Sequence, residues 1–110
     1  MTGQILDRAV IEELQETMGA DFAEELITTF LQEAPGMLAD LEAAEKAGDA
    51  EAFRRAAHSI KSNAATFGAN QLADAARVLE LEGPQPDGVA NLNRMFQDAE
   101  THLKGMLNGG

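Results

Sequence analysis

Apolar side chains recur at three- and four-residue steps from Val10 to Met106, and glycines punctuate the pattern at Gly19, Gly48, Gly68 and between Gly83 and Gly88. That spacing is the period of an α-helix seen from one side. A chain that carries it almost end to end is confined to amphipathic helices, each with a stripe to bury against another helix. Alanine, leucine and glutamate, all good helix formers, dominate the composition, and β-branched residues are few and dispersed. Strands are not expected.

The punctuation predicts five helices. Asp7 caps a short first helix with Val10, Ile11, Leu14 and Met18 as its stripe, and Gly19 closes it. Asp21 with Glu24 reads as a variant capping box for a long second helix, striped by Phe22, Leu26, Phe30, Met37, Leu38, Leu41 and Ala44. Pro35-Gly36 interrupts it, because a proline inside a helix removes a backbone hydrogen bond and crowds the preceding turn. A kink is expected near Ala34, but the stripe resumes in register, so the helix keeps its direction as far as Ala47-Gly48. Asp49 caps the third helix, with Phe53, Ala57, Ile60, Ala64 and Phe67 on one face and Gly68 as its stop. Asn70 caps a fourth, carrying Leu72, Ala75, Ala76 and Leu79. Gly83-Pro84-Gln85-Pro86-Asp87-Gly88 is a loop, and the last helix runs from Val89 with Leu92, Phe96, Ala99, Leu103 and Met106 as its stripe. Asn108-Gly109-Gly110 should form a flexible tail.

Amphipathic helices joined by short connections make an all-α antiparallel four-helix bundle, here with the short N-terminal helix added as a lid. The 110 residues suffice for one modest core, so residues 1–110 are read as one domain.

Eight Lys and Arg stand against nineteen Asp and Glu, a net charge of −11. Nucleic acids and anionic membrane surfaces both require a basic face and are not expected partners. The absence of cysteine excludes disulfides, thiolate metal sites and cysteine nucleophiles. No apolar run approaches the roughly 18–20 residues of a membrane span. Met1-Thr2-Gly3-Gln4 lacks the basic and apolar parts of a signal peptide. The expectation is a cytoplasmic monomer, although an excised piece of a longer chain would read the same.

Three of the eight cations, Arg54, Arg55 and Lys61, gather around His58. His58 lies about 100° round the helix from Ala57, beside the buried stripe on its solvent side. Arg54, Arg55, Lys61 and Ser62 are its neighbours one turn away, and Ala65 lies a further turn along. A neutral imidazole offers a lone pair to an electrophile. The Lys61 ammonium can stabilise a phosphoryl group, and the small Ser62 and Ala65 leave room for a partner.

The run His58-Ser59-Ile60-Lys61-Ser62, followed by Asn63-Ala64-Ala65-Thr66-Phe67-Gly68, closely resembles the motif of the histidine phosphotransfer (HPt) domain family. That motif is His-x-Leu-Lys-Gly, then small residues and a glycine. Ile60 takes the place of leucine, and Ser62 stands where glycine is commonest, which brings a hydroxyl close to the imidazole. The likeness is strongest over residues 7–83 and includes Phe30-Leu31, Leu38, Leu41-Glu42, Gly48-Asp49, Ala56-Ala57 and Leu79-Glu80; the last helix matches in pattern only. The resemblance implies relay of a phosphoryl group between histidine and the aspartate of response-regulator receiver domains in two-component signalling. It implies His58 as phosphoacceptor through Nε2, Lys61 as the balancing charge, and Glu80 as acceptor of the Nδ1 proton. Arg54, Arg55, Ser62 and Ala65 would form the docking surface, with the island of Arg54, Arg55 and Lys61 suited to an acidic receiver rim. The implied partners are a receiver domain, which brings the aspartate and its Mg²⁺, and a sensor histidine kinase of the hybrid kind. No cofactor or metal of its own is expected. The chain has no glycine-rich phosphate loop and no kinase signature, so it reads as a phosphoryl carrier and not as an enzyme.

Other readings compete. One is a non-catalytic module that regulates a histidine kinase by docking, with His58 unused. Another is the phosphoacceptor domain of a chemotaxis-type kinase, which Glu80 suits but which lacks any kinase segment here. A third, acid–base catalysis, has no pair of carboxylates placed with His58. His102, beside Leu103 and Lys104, reads as a surface residue, and the two histidines have no metal-ligand spacing.

Overall fold

The computed structural model describes residues 8–108, with side chains over 9–105. Five helices follow one another: α1 (Arg8–Met18), α2 (Ala20–Ala47), α3 (Ala50–Thr66), α4 (Asn70–Glu82) and α5 (Gly88–Asn108). There is no strand among the described residues. α2 sets the length of the molecule. At the usual helical rise its 28 residues measure about 42 Å, matching the longest dimension of 42 Å. α3 packs against α2 and α4, α4 against α5, and α5 against α2, so the four close into a ring. α1 packs on α2. α3 and α4, with 17 and 13 residues, are too short to line α2 throughout. α1 and the C-terminal part of α5 complete the core, and Ile11 and Leu103 are both fully buried in it.

The glycine stops act through backbone geometry. Gly48 takes the left-handed conformation, φ 70°, and its N–H and that of Asp49 return to carbonyls of the last turn of α2. Asp49 then caps α3: its Oδ1 accepts a hydrogen bond from the Ala52 N–H at 3.1 Å. Asp49→Ala is expected to cost about 1 kcal/mol and to lower the melting temperature by several degrees in a thermal scan. An unchanged melting temperature would mean that water serves that N–H equally well.

The structure corrects two caps. The link between α1 and α2 is the single residue Gly19, φ 91°, so α2 restarts at Ala20 and Asp21 lies inside its first turn. No side-chain capping bond forms there, and Asp21 contributes as a negative charge near the positive helix end. In the same way Ala69, fully buried in a tight turn, occupies the cap position of α4, and Asn70 is already helical. α5 begins at Gly88, one residue before Val89.

The stripe of α2 also differs. Ala23, Ile27, Phe30, Ala34, Leu38, Leu41 and Ala44 are buried, while Phe22 is exposed and Leu26 and Met37 are half-buried. Phe22 lies about 80° round the helix from Phe30, whereas Ala23 lies within about 20°. Over a long helix, phase decides burial against side-chain size. Met18 holds the phase of Ile11 but ends its helix where the chain turns at Gly19, and it is exposed. Ala75 is half-buried. α2 continues through Pro35, which is exposed, so the carbonyl it leaves unpaired can turn to water. Asn108, expected in the tail, is instead the last residue of α5. The expected Asp7 cap, the Met106 side chain and Gly109-Gly110 lie outside the described residues.

Candidate functional site

The flank of α3 that faces α4 carries His58 and Lys61, whereas the opposite flank, through Asn63, reaches Met37 of α2. α4 brings Glu80 to that first flank. His58 Nδ1 is 2.8 Å from Glu80 Oε2, and Lys61 Nζ is 2.7 Å from Glu80 Oε1. At that distance the Lys61 ammonium is both an ion-pair partner of the carboxylate and close enough to donate to it. The His58 side chain is 56% exposed, Lys61 30% and Glu80 13%. The carboxylate therefore forms the floor of the site and the imidazole its open edge.

Hydrogen bonding from its two neighbours, helped by their charge, accounts for the state of Glu80. Lys61 first, then His58, hold its carboxyl below the ordinary value of 4.5, against the opposing push of partial burial. An ionised carboxylate only accepts hydrogen bonds. The proton between Nδ1 and Oε2 therefore belongs to Nδ1. In the neutral ring this leaves the lone pair on Nε2, the nitrogen away from Glu80.

The depressed value links the site to stability. The carboxylate's contribution is fully present above the ordinary 4.5 and is lost as pH falls from there through the depressed folded value. The gap in melting temperature between wild type and Glu80→Gln should accordingly be widest near neutrality and close in strong acid. A gap independent of pH would remove the charge contribution.

Arg54, Arg55, Ser62 and Ala65 are all exposed on α3. Their charge is less available than the sequence suggested. Glu51 sits 2.7 Å from Arg54 and 3.8 Å from Arg55, so one carboxylate holds both. Spacings of three and four residues on one helix carried that signal. No sequence spacing signals that Glu80, 22 positions from His58, reaches it; only the pairing of α3 with α4 does that. His102 is exposed on α5, its Nδ1 2.8 Å from the Asp98 carbonyl, far in sequence from this cluster. Among the described residues no group of His, Cys, Asp and Glu could hold a metal ion.

The Hpt domain family model matches residues 25–108. The phosphorelay protein LuxU of Vibrio vulnificus, in strains YJ016 and CMCP6, is 28% identical over 113 residues, covering 96% of this chain and 98% of the relative. Among solved structures, histidine-containing phosphotransfer protein B (HptB) from Pseudomonas aeruginosa PAO1 superposes with a TM-score of 0.86. It is 32% identical, and the match covers 96% of each chain.

Proposed function

Because the chain belongs to the Hpt domain family and is a histidine phosphotransfer protein of two-component signalling, we propose that His58 is its phosphoacceptor and that Lys61 and Glu80 serve it. The observation that carries this reading is the contact of Nδ1 with Glu80 Oε2 at 2.8 Å on an exposed imidazole. In the forward step the Nε2 lone pair attacks the phosphorus of a receiver aspartyl phosphate. The N–P bond forms as the bond from phosphorus to the aspartate oxygen breaks, and the receiver carboxylate leaves with the electron pair. The ring, still protonated at Nδ1, becomes cationic. Glu80 stabilises that charge, and the cationic ring is a good leaving group for the reverse transfer. Lys61 reaches the same carboxylate and lies beside the incoming phosphate charge.

Histidine kinases and response regulators are the general partners of such proteins. We assign a hybrid sensor kinase and a receiver domain that brings its own Mg²⁺ to this chain, which acts as a carrier with no cofactor of its own. Residues 1–110 act as one domain, as a monomer, in the cytoplasm. Three features support this: no helix among the described residues is long and apolar enough to cross a membrane, one core joins all five helices, and the net charge of −11 opposes self-association.

The test is incubation with a phosphorylated receiver. Label that is acid-labile and base-stable is the expected product. Intact binding without label would favour a docking module that uses the fold and not the imidazole. Glu80→Gln keeps an acceptor oxygen but loses the charge, and transfer should slow on the order of tenfold, the difference between a charged and a neutral hydrogen bond. Transfer at the wild-type rate in Glu80→Gln would leave Glu80 without a charge role, and Glu80→Ala would then test the polar contact alone.

A further inference from the structure

Every cation near His58 that the sequence singled out is committed to a carboxylate. Arg54 and Arg55 share Glu51, and Lys61 is paired with Glu80. Elsewhere Lys46 pairs with Glu42, Lys104 with Glu100, and Arg94 donates to Asn91. Among the residues whose side chains are described, one cation has neither an ion pair nor a hydrogen bond, and that is Arg77, which is exposed on α4.

Its place on α4 is informative. Ala73, Arg77 and Glu80 follow one another by four and three residues, so they share a flank of the helix. Glu80 fixes which flank, because it meets His58 and Lys61 of α3. Arg77 lies about 60° further toward solvent and about 4.5 Å back along the axis from Glu80. α3 and α4 run antiparallel, so one turn back on α4 is one turn forward on α3. That sets Arg77 level with Ser62 and Ala65, which are exposed and too small to cover a guanidinium. Beside it on the outer face of α4 stand Val78 and Leu81, 42% and 66% exposed. These are two of the four large apolar side chains that the described surface leaves open, and the other two, Met18 and Phe22, belong to the junction of α1 and α2.

A protein of net charge −11 must approach a receiver whose rim, on the phosphotransfer reading, is acidic too. General repulsion opposes that encounter, so an uncommitted local positive charge beside the nucleophile is what complementarity requires. We propose that Arg77, with Val78 and Leu81 beside it, is the docking contact on α4 for the acidic face of the receiver around its aspartate. This assignment rests on the phosphotransfer reading above and moves the decisive docking charge from α3 to α4. Arg77 acts on encounter and orientation, and His58, Lys61 and Glu80 act on the transfer itself.

Two readouts separate docking from the reaction it serves. The probe is the receiver domain that binds the wild-type chain most tightly in a fluorescence titration, loaded where needed with acetyl phosphate and Mg²⁺. In binding, Arg77→Glu should raise the dissociation constant on the order of tenfold and flatten its dependence on salt, and Arg77→Lys should restore both. In transfer, the half-saturating receiver concentration should rise by the same factor while the rate at saturation stays at the wild-type value. Leu81→Ser should weaken binding without altering the salt dependence. Equal affinity of wild type and Arg77→Glu would overturn the proposal. So would an effect confined to the saturating rate and to the hydrolysis half-life of the isolated phosphorylated chain, which would put Arg77 on the phosphoryl group. If the wild-type chain takes no label, the phosphotransfer reading fails, and the titration still decides whether Arg77 docks the receiver.

Discussion

Replacing His58 with glutamine is expected to abolish phosphoryl labelling of the chain and to leave its fold intact. The glutamine amide can still donate a hydrogen bond toward Glu80, but its nitrogen has no lone pair available for attack on phosphorus. His58→Ala removes both the nucleophile and the contact. The imidazole is more than half exposed and its one hydrogen bond is to Glu80, which keeps Lys61 as partner in either variant. Surface substitutions of this kind usually change stability by no more than about 0.5 kcal/mol. Circular dichroism and melting temperature should therefore match wild type closely, while label from a phosphorylated receiver falls below detection. His102→Gln is the natural companion. Its ring lies on α5, with Nδ1 beside the Asp98 carbonyl and no carboxylate or lysine contact like that of His58, so full labelling is expected. Label that persists in both His58 variants would place the acceptor elsewhere and sink the assignment.

The second large effect is on stability. Phe30 faces inward from α2 and is 3% exposed. Its ring centroid lies 5.1 Å from that of Phe67, at the end of α3, and 6.0 Å from that of Phe96 on α5, the latter edge-on. One side chain therefore joins three helices. The space among Phe30, Ala34, Met37, Leu38, Ile60, Leu72 and Phe96 has no room for a water molecule, so truncation must open a void that nothing fills. Phe30→Ala should cost about 3–5 kcal/mol, a large share of the roughly 5–15 kcal/mol available to a domain. The melting temperature should drop by more than about 10 °C. Phe30→Leu, which keeps much of the volume, should lose far less. The His58–Glu80 pair stands on the outer side of α3 and α4, so transfer measured well below the transition should be nearly normal. A fall of less than about 4 °C for Phe30→Ala would mean that the core collapses around the missing ring.

How much of this was legible in the residues follows from the range of each interaction. The helices, their glycine ends and the Asp49 cap depend on neighbours within four positions, so composition and period suffice for them. The orientation of His58 is of the same kind, being about 100° from Ala57 on a helix whose inner face is set by Phe53, Ala57, Ile60 and Ala64. The neutralisation of Arg54 and Arg55 by Glu51 is local too, three and four positions along one helix, and is visible only when the carboxylates are weighed with the cations. Phe22 differs because two phases of apolar residues overlap in the first turns of α2, and the buried phase is that of Ala23 and Ile27, not that of the larger side chain.

The sequence by itself determined a helical bundle with an imidazole on the solvent flank of its third helix, because helical period is a local property. Only the tertiary structure decided what that imidazole meets. Glu80 is 22 positions away, and whether it faces His58 depends on how far α4 slides along α3. That slide is set by core packing and by the tight turn at Phe67, Gly68 and Ala69. The same register commits Lys61 to Glu80 and leaves Arg77 uncommitted one turn away. Charge counted along a chain is a sum, but charge available to a partner is what remains after folding has paired it.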